Sequence, residues 1–251
     1  MRRIMLRVAY DGTAYSGWQL QPNAETIEGV LNRELSKLLK EEITVIGASR
    51  TDAGVHAEDA IAVFDTESRI PGEKFSYALN IGLPDNIVVR KSAEVPADFH
   101  PRKTATKKTY KYSIWNDTFP LPSRRLYTHL VYTKLDTGKM AEAAGAFVGE
   151  HDFAGFCSAN TQSLTTIRTI YDMKVVGGED PRQIDIYVTG NGFLYNMVRI
   201  IAGTLIEVGQ GKILPEDLPE IIASGDRNRA GNTAPAKGLT LMKYEFPEYG
   251  F

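Results

Sequence analysis

The sequence predicts an α+β protein made of two ferredoxin-like (RRM-like) α/β halves joined side by side around a central antiparallel sheet, with an active-site cleft between them. Three observations lead there. Period-two and helical-period stretches follow one another in a β-α-β-β-α-β order over residues 3–95. The same order returns, loosely and without any detectable sequence repeat, over the remainder of the chain. Between the two, Pro96 and Pro101 interrupt the periodicity. These features assign residues 1–102 to a first domain and residues 103–251 to a second. Clefts at domain interfaces are favoured places for sites.

Each element has its own warrant. Residues 3–10 alternate with Ile4, Leu6 and Val8 on one face, a half-buried strand. Thr26 is an N-cap type residue, and after it Ile27, Val30, Leu31, Leu35, Leu38 and Leu39 recur at helical spacing. Strands are expected at residues 43–49 and 60–66, separated by a turn over 50–57; a helix opening with Pro71 and a strand at 87–95 complete the first half. In the second half a strand is expected at 104–116, a helix at 136–148, strands at 168–176 and 183–189, and a long helix at 193–208. A short helix at 216–223 and a final strand at 239–246 complete it.

Composition narrows the function. At 251 residues the chain is long enough for a substantial core, and 43% hydrophobic with 24% charged residues is the balance of a soluble globular protein. The formal net charge of −2 argues against a surface coated in nucleic acid, although a local basic groove suffices to bind phosphate. The only cysteine, Cys157, excludes an intramolecular disulfide and fits a reducing compartment. The opening MRRIMLRVAYDG is broken by Arg7 and Asp11, so it does not read as a signal peptide, and no apolar run is long enough to span a bilayer. A cytoplasmic protein is expected.

Three places carry the chemistry. The stretch Gly47-Ala48-Ser49-Arg50-Thr51-Asp52-Ala53-Gly54-Val55-His56-Ala57 puts an arginine and a carboxylate among small residues in one turn. An aspartate in a turn ordinarily serves that turn, bonding its own backbone; the small neighbours also leave room for another molecule to approach. Arg199 lies in Phe193-Leu194-Tyr195-Asn196-Met197-Val198-Arg199-Ile200-Ile201-Ala202, apolar nearly all round, and so expected to be a buried helix. Either the arginine snorkels to water or a carboxylate meets it, because stripping one partner from a buried pair costs on the order of 3–5 kcal/mol. From Phe99 to Asn116 no acidic residue occurs, while Arg102, Lys103, Lys107, Lys108 and Lys111 are interleaved with Tyr110, Tyr112 and Trp115. That pattern suits a phosphate backbone with stacked bases, or a solvated basic strand whose tyrosines are core.

Other chemistries lack their residues. His56, His100, His129 and His151 share no metal-ligand spacing, and there is no CxxC pair. Neither a nucleophile elbow, nor a P-loop, nor a dinucleotide fingerprint is present; Gly190-Asn191-Gly192-Phe193 reads as a turn and cap. No metal or cofactor is expected.

The chain resembles the tRNA pseudouridine synthase A family over essentially its whole length. The resemblance rests on Val8-Ala9-Tyr10-Asp11-Gly12-Thr13-Ala14-Tyr15-Ser16-Gly17-Trp18-Gln19, on Ser49 to Ala57, and on Lys108-Thr109-Tyr110-Lys111-Tyr112. Gly149-Glu150-His151-Asp152-Phe153, Gly192 to Arg199 and Thr233-Ala234-Pro235-Ala236-Lys237-Gly238-Leu239 complete it. It implies that Asp52 is the catalytic aspartate, Arg199 its ion-pair partner, Tyr110 the residue packed on the target base, and Arg50 the cation that helps turn the nucleotide out. It also implies isomerisation of uridines 38, 39 and 40 in the tRNA anticodon stem-loop, no cofactor, and a homodimer that grips one tRNA. Two departures from the family pattern are Ser49, where glycine is usual, and Glu58-Asp59-Ala60, which is expected to add negative charge near the RNA path. The rival readings are a non-catalytic RNA-binding module, a glycoside or nucleoside hydrolase, and a pseudouridine synthase for another RNA site. A hydrolase would want a second carboxylate coupled to the Asp52 turn, and none has a defensible spacing.

Overall fold

A computed structural model describes residues 1–159 and 163–247. Its elements run β1 (Arg2–Tyr10), α1 (Ile27–Leu39), β2 (Ile46–Gly47), β3 (His56–Thr66), α2 (Phe75–Asn80), β4 (Ile87–Val95) and β5 (Lys107–Asn116). They continue through β6 (His129–Val131), α3 (Thr137–Ala144), β7 (Gly149–Asp152), β8 (Ile167–Gly177), β9 (Gln183–Gly190), α4 (Met197–Gly209), α5 (Leu218–Ser224) and β10 (Leu239–Glu245). The chain is α+β, and it divides into one unit of Met1–Ala105 with Leu241–Phe251 and another of Thr106–Thr240. The last strand therefore belongs mostly with the first unit, whereas its place in the sequence put it with the second.

In the first unit β1 is central, antiparallel to β3 on one side (Arg2 opposite Thr66) and to β4 on the other (Arg3 opposite Val95). β2 and β10 share the other edge of β3. Ile4, Leu6 and Val8 are buried as their alternation predicts. Register shifts interrupt β1 at its C-terminal end, between Val8 and Tyr10 against β3 and between Arg7 and Val8 against β4. Such bulges bend a strand and re-aim its side chains; here they occur where β1 approaches the loop leading into β3. Helix α1 starts as expected, with the Thr26 hydroxyl accepting from the Gly29 N–H, and it buries Ile27, Val30, Leu31 and Leu35.

The expected strand over residues 43–49 shrinks to Ile46–Gly47. The cause is local: the Ile43 N–H donates to Ser36 Oγ and the Val45 N–H to Asn32 Oδ1, so side chains of α1 take donors a ladder would need. After Pro71 a single 3-10 turn, Gly72–Lys74, precedes α2.

In the second unit β9 lies between β5 and β8, antiparallel to both, β7 pairs with β8, and the short β6 runs parallel to β5. Asp136 caps α3 by accepting from the Lys139 N–H. Helix α4 is buried at eleven of its thirteen residues, leaving only Arg199 and Glu207 less than buried, so it is a core helix as expected. It begins at Met197 and not at residue 193, because Asn196 takes a left-handed conformation (φ 61°) that no helix continues through.

Candidate active site

The loop over residues 50–55 is clamped at its flanks. Thr51 is buried, its hydroxyl 2.7 Å from the Tyr10 phenol, and its carbonyl accepts from the Trp18 N–H at 3.0 Å. Burial holds the Tyr10 phenol far above its usual pKa, so it stays protonated. The Val55 N–H closes the turn onto the Asp52 carbonyl at 3.2 Å, with Gly54 at φ 77°. On the far side, His56 Nδ1 accepts from the Gly12 N–H at 3.1 Å and lies 3.2 Å from Asp11 Oδ1.

Two glycines make this packing possible. A Cβ on Gly12 would sit 2.0 Å from the Val55 carbonyl oxygen. One on Gly17, itself at φ 89°, would sit 2.7 Å from the Thr51 carbonyl oxygen and 3.2 Å from the Asp52 carbonyl carbon. The opening motif Asp11 to Trp18 is thus the bed on which the aspartate turn lies, a role its residue pattern alone did not disclose. Between the pinned Thr51 and Val55, Asp52 is half-buried and Ala53 exposed. Arg50 is exposed and donates to Gln19 Oε1 at 3.3 Å.

In the second unit, Tyr110 is buried on β5 opposite Val188, with the Phe193 ring edge-on at 5.3 Å. Arg199 stands in the first turn of α4, half-buried and not in mid-helix as the apolar run implied. Its Nε donates to the Ala234 carbonyl at 2.8 Å and its Nη1 to Asn196 Oδ1 at 2.7 Å. Residues 231–234 run along α4: the Ala234 N–H donates to the Arg199 carbonyl, the Gly231 N–H to Thr204 Oγ1, and Asn232 to Glu207.

The basic segment divides by exposure. Arg102, Lys103 and Lys107 are exposed, and Lys108 and Lys111 half-buried. Arg102 also donates to the Gly47 carbonyl at 2.7 Å. Lys107 lies 6.0 Å over the Tyr171 ring. Two of the interleaved aromatics are not available for stacking on a base. Tyr112 is fully buried with its hydroxyl on the Pro235 carbonyl, and Trp115 is buried with the guanidinium groups of Arg124 and Arg182 over its ring. Asp59 is engaged by Arg7 and by the Tyr244 N–H. Asn196, which bonds Arg199, and Ser158, which bonds Asn196, were not singled out from sequence; the left-handed asparagine leaves no mark in an apolar pattern. Among the described residues no three His, Cys, Asp or Glu side chains gather as metal ligands, and no helix is long and apolar enough to cross a membrane.

The sequence profile described as tRNA pseudouridine synthase matches residues 7–102 and 143–247. The tRNA pseudouridine synthase A of Ruminiclostridium cellulolyticum is 52% identical over 97% of this chain and 99% of its own length. Those of Acetivibrio thermocellus and Citrifermentans bemidjiense are 49% and 47% identical, over 97% and 99% of this chain and 99% of their own lengths. The chain belongs to the tRNA pseudouridine synthase family, whose members are isomerases.

Proposed function

We propose that this protein converts uridines 38, 39 and 40 of the tRNA anticodon stem-loop to pseudouridine, without a cofactor and with Asp52 as nucleophile. The observation that carries the reading is the clamped loop: Thr51 and Val55 are fixed by backbone and side-chain bonds, while between them Asp52 is half-buried and Ala53 exposed. Catalytic residues are characteristically held on loops by a rigid scaffold.

The target base is stacked in a stem, so it must leave the helix, which costs a few kcal/mol. Arg50, two residues from Asp52, fills the gap and holds a phosphate. The Asp52 carboxylate attacks ribose C1′ or uracil C6. The N1–C1′ bond breaks, the uracil turns, and C5 bonds to C1′; the bond to Asp52 is cleaved to return the free carboxylate, the hydrogen on C5 leaves as a proton and N1 gains one, so the product is an isomer. Arg199 keeps Asp52 ionised and oriented. Tyr110 holds the detached ring, and Arg102, Lys103, Lys107, Lys108 and Lys111 track the phosphates. Two copies of the chain grip one tRNA, in the cytoplasm.

The test is release of tritium from tRNA labelled at uridine C5. Wild type should release it and Asp52→Asn should not, while still binding tRNA; turnover by that variant would sink the assignment. Tritium release that persists when uridines 38–40 are replaced by cytidine would move the activity to another site.

A further inference from the structure

We infer that Asn196 is a positioning residue for Arg199, the last link of a chain of hydrogen bonds that fixes the direction of the guanidinium. This rests on the reading of Asp52 and Arg199 as a catalytic pair. Asn196 occupies the left-handed region at φ 61°, immediately before α4. Its side chain does not cap the helix, the usual work of an asparagine in that place. It is spent on two other bonds: Oδ1 accepts from Arg199 Nη1 at 2.7 Å, and Nδ2 donates to Ser158 Oγ at 2.9 Å. The amide is thus oriented from both ends. Ser158 is fixed in turn, its N–H donating to the Tyr195 carbonyl at 3.2 Å and its carbonyl accepting from Cys157 Sγ at 3.3 Å.

Two of the bonds on Arg199 come from different segments. Ala234 holds Nε from the strap along α4, and Asn196 holds Nη1 from the preceding turn. A guanidinium is planar, so fixing Nε and one terminal nitrogen fixes the direction of the whole fork. A neutral amide is suited to this task. It accepts from the cation without neutralising it, whereas a carboxylate at the same place would compete with Asp52 for the charge.

The left-handed backbone makes the test clean, because glycine adopts that conformation freely and aspartate tolerates it. Asn196→Gly removes both side-chain bonds and keeps the turn. Its melting temperature and KM for tRNA should stay close to wild type while kcat falls by about tenfold or more. The acid limb of its pH–rate profile should move to higher pH, because a loosely held cation stabilises the Asp52 carboxylate less. Asn196→Asp keeps the shape, since Ser158 can donate to the new carboxylate. It should melt at or above the wild-type temperature yet lose kcat by about tenfold. Ser158→Ala, which cuts only the outer bond, should lose less than either.

Wild-type kcat and pH profile in both Asn196 variants would overturn the inference. So would a loss of kcat in Asn196→Gly that merely follows a fall in melting temperature with the pH profile unmoved. Asp52→Asn is assayed alongside: turnover there defeats the catalytic pair itself, whereas an inactive Asp52→Asn beside a fully active Asn196→Gly defeats only the positioning role.

Discussion

Lys108 shows how a single residue's surroundings set a measurable property. It stands half-buried on β5, two residues before Tyr110, and burial pushes its ammonium pKa down to about 8, with repulsion from Arg168 adding to the effect. In an unfolded chain lysine titrates near about 10.4. Between those two values the unfolded chain binds the extra proton, so this group makes stability rise with pH across that window and contributes no slope below it. A phosphate has the opposite preference, because it favours the charged ammonium. If Lys108 faces the tRNA backbone as proposed, binding above about pH 8 must take up a proton. KM for tRNA should therefore climb as pH passes about 8, and Lys108→Arg, which keeps its charge there, should flatten the climb. Measuring KM from about pH 7 to about pH 9.5 decides it, and an equal climb in both proteins would remove Lys108 from the interface.

At the scale of elements, α4 illustrates packing overruling propensity. Gly203 lies inside it, where alanine would ordinarily add about 1 kcal/mol of stability. Here a Cβ would sit 1.7 Å from the Asn232 carbonyl oxygen, so the strap of residues 231–234 would have to lift, and with it the Ala234 carbonyl that holds Arg199. Gly203→Ala should destabilise by about 2 kcal/mol, the usual scale of overpacking, and should lower turnover as well. A urea melt that shows added stability would refute this. The same helix marks the limit of what the sequence discloses. Its buried character was legible from a run apolar nearly all round; its start was not, because the backbone sign of Asn196 leaves the residue pattern unchanged. Helix α1 and strands β1 and β4 were legible because alternation and capping chemistry agree with their packing. The strand expected around Ile43 and Val45 failed since Ser36 and Asn32 intercept its N–H groups. Strand β7 went unseen because Gly149-Glu150-His151-Asp152 has no apolar alternation to announce it. Of the proposed site, Asp52, Arg50 and Arg199 were readable as charges in unusual settings. The glycine bed of Gly12 and Gly17 was not, because close approach is a three-dimensional fact.

Across the whole molecule, the chain leaves its first unit after Ala105 and returns to it at Leu241. The unit that carries Asp52 is therefore completed by the last part of the chain described. Tyr244 and Phe246 are 1% and 3% exposed, and the Phe246 ring meets Phe99 at 5.0 Å. The Arg7–Asp59 pair holds the backbone of Tyr244 through both its N–H and its carbonyl. This arrangement separates two kinds of inactivating change. Tyr244→Ala deletes a fully buried ring and should cost about 3–5 kcal/mol. Its turnover should track the folded fraction: near wild type in the cold, where the chain remains folded, and lost on warming at a melting point well below that of wild type. Asp52→Asn should do the reverse, melting like wild type and failing at every temperature. Parallel urea melts and tritium-release assays over a range of temperatures read both. A Tyr244→Ala protein that melts with wild type would show that the returning strand contributes little to the first unit, and that its burial there is not what holds the aspartate loop in place.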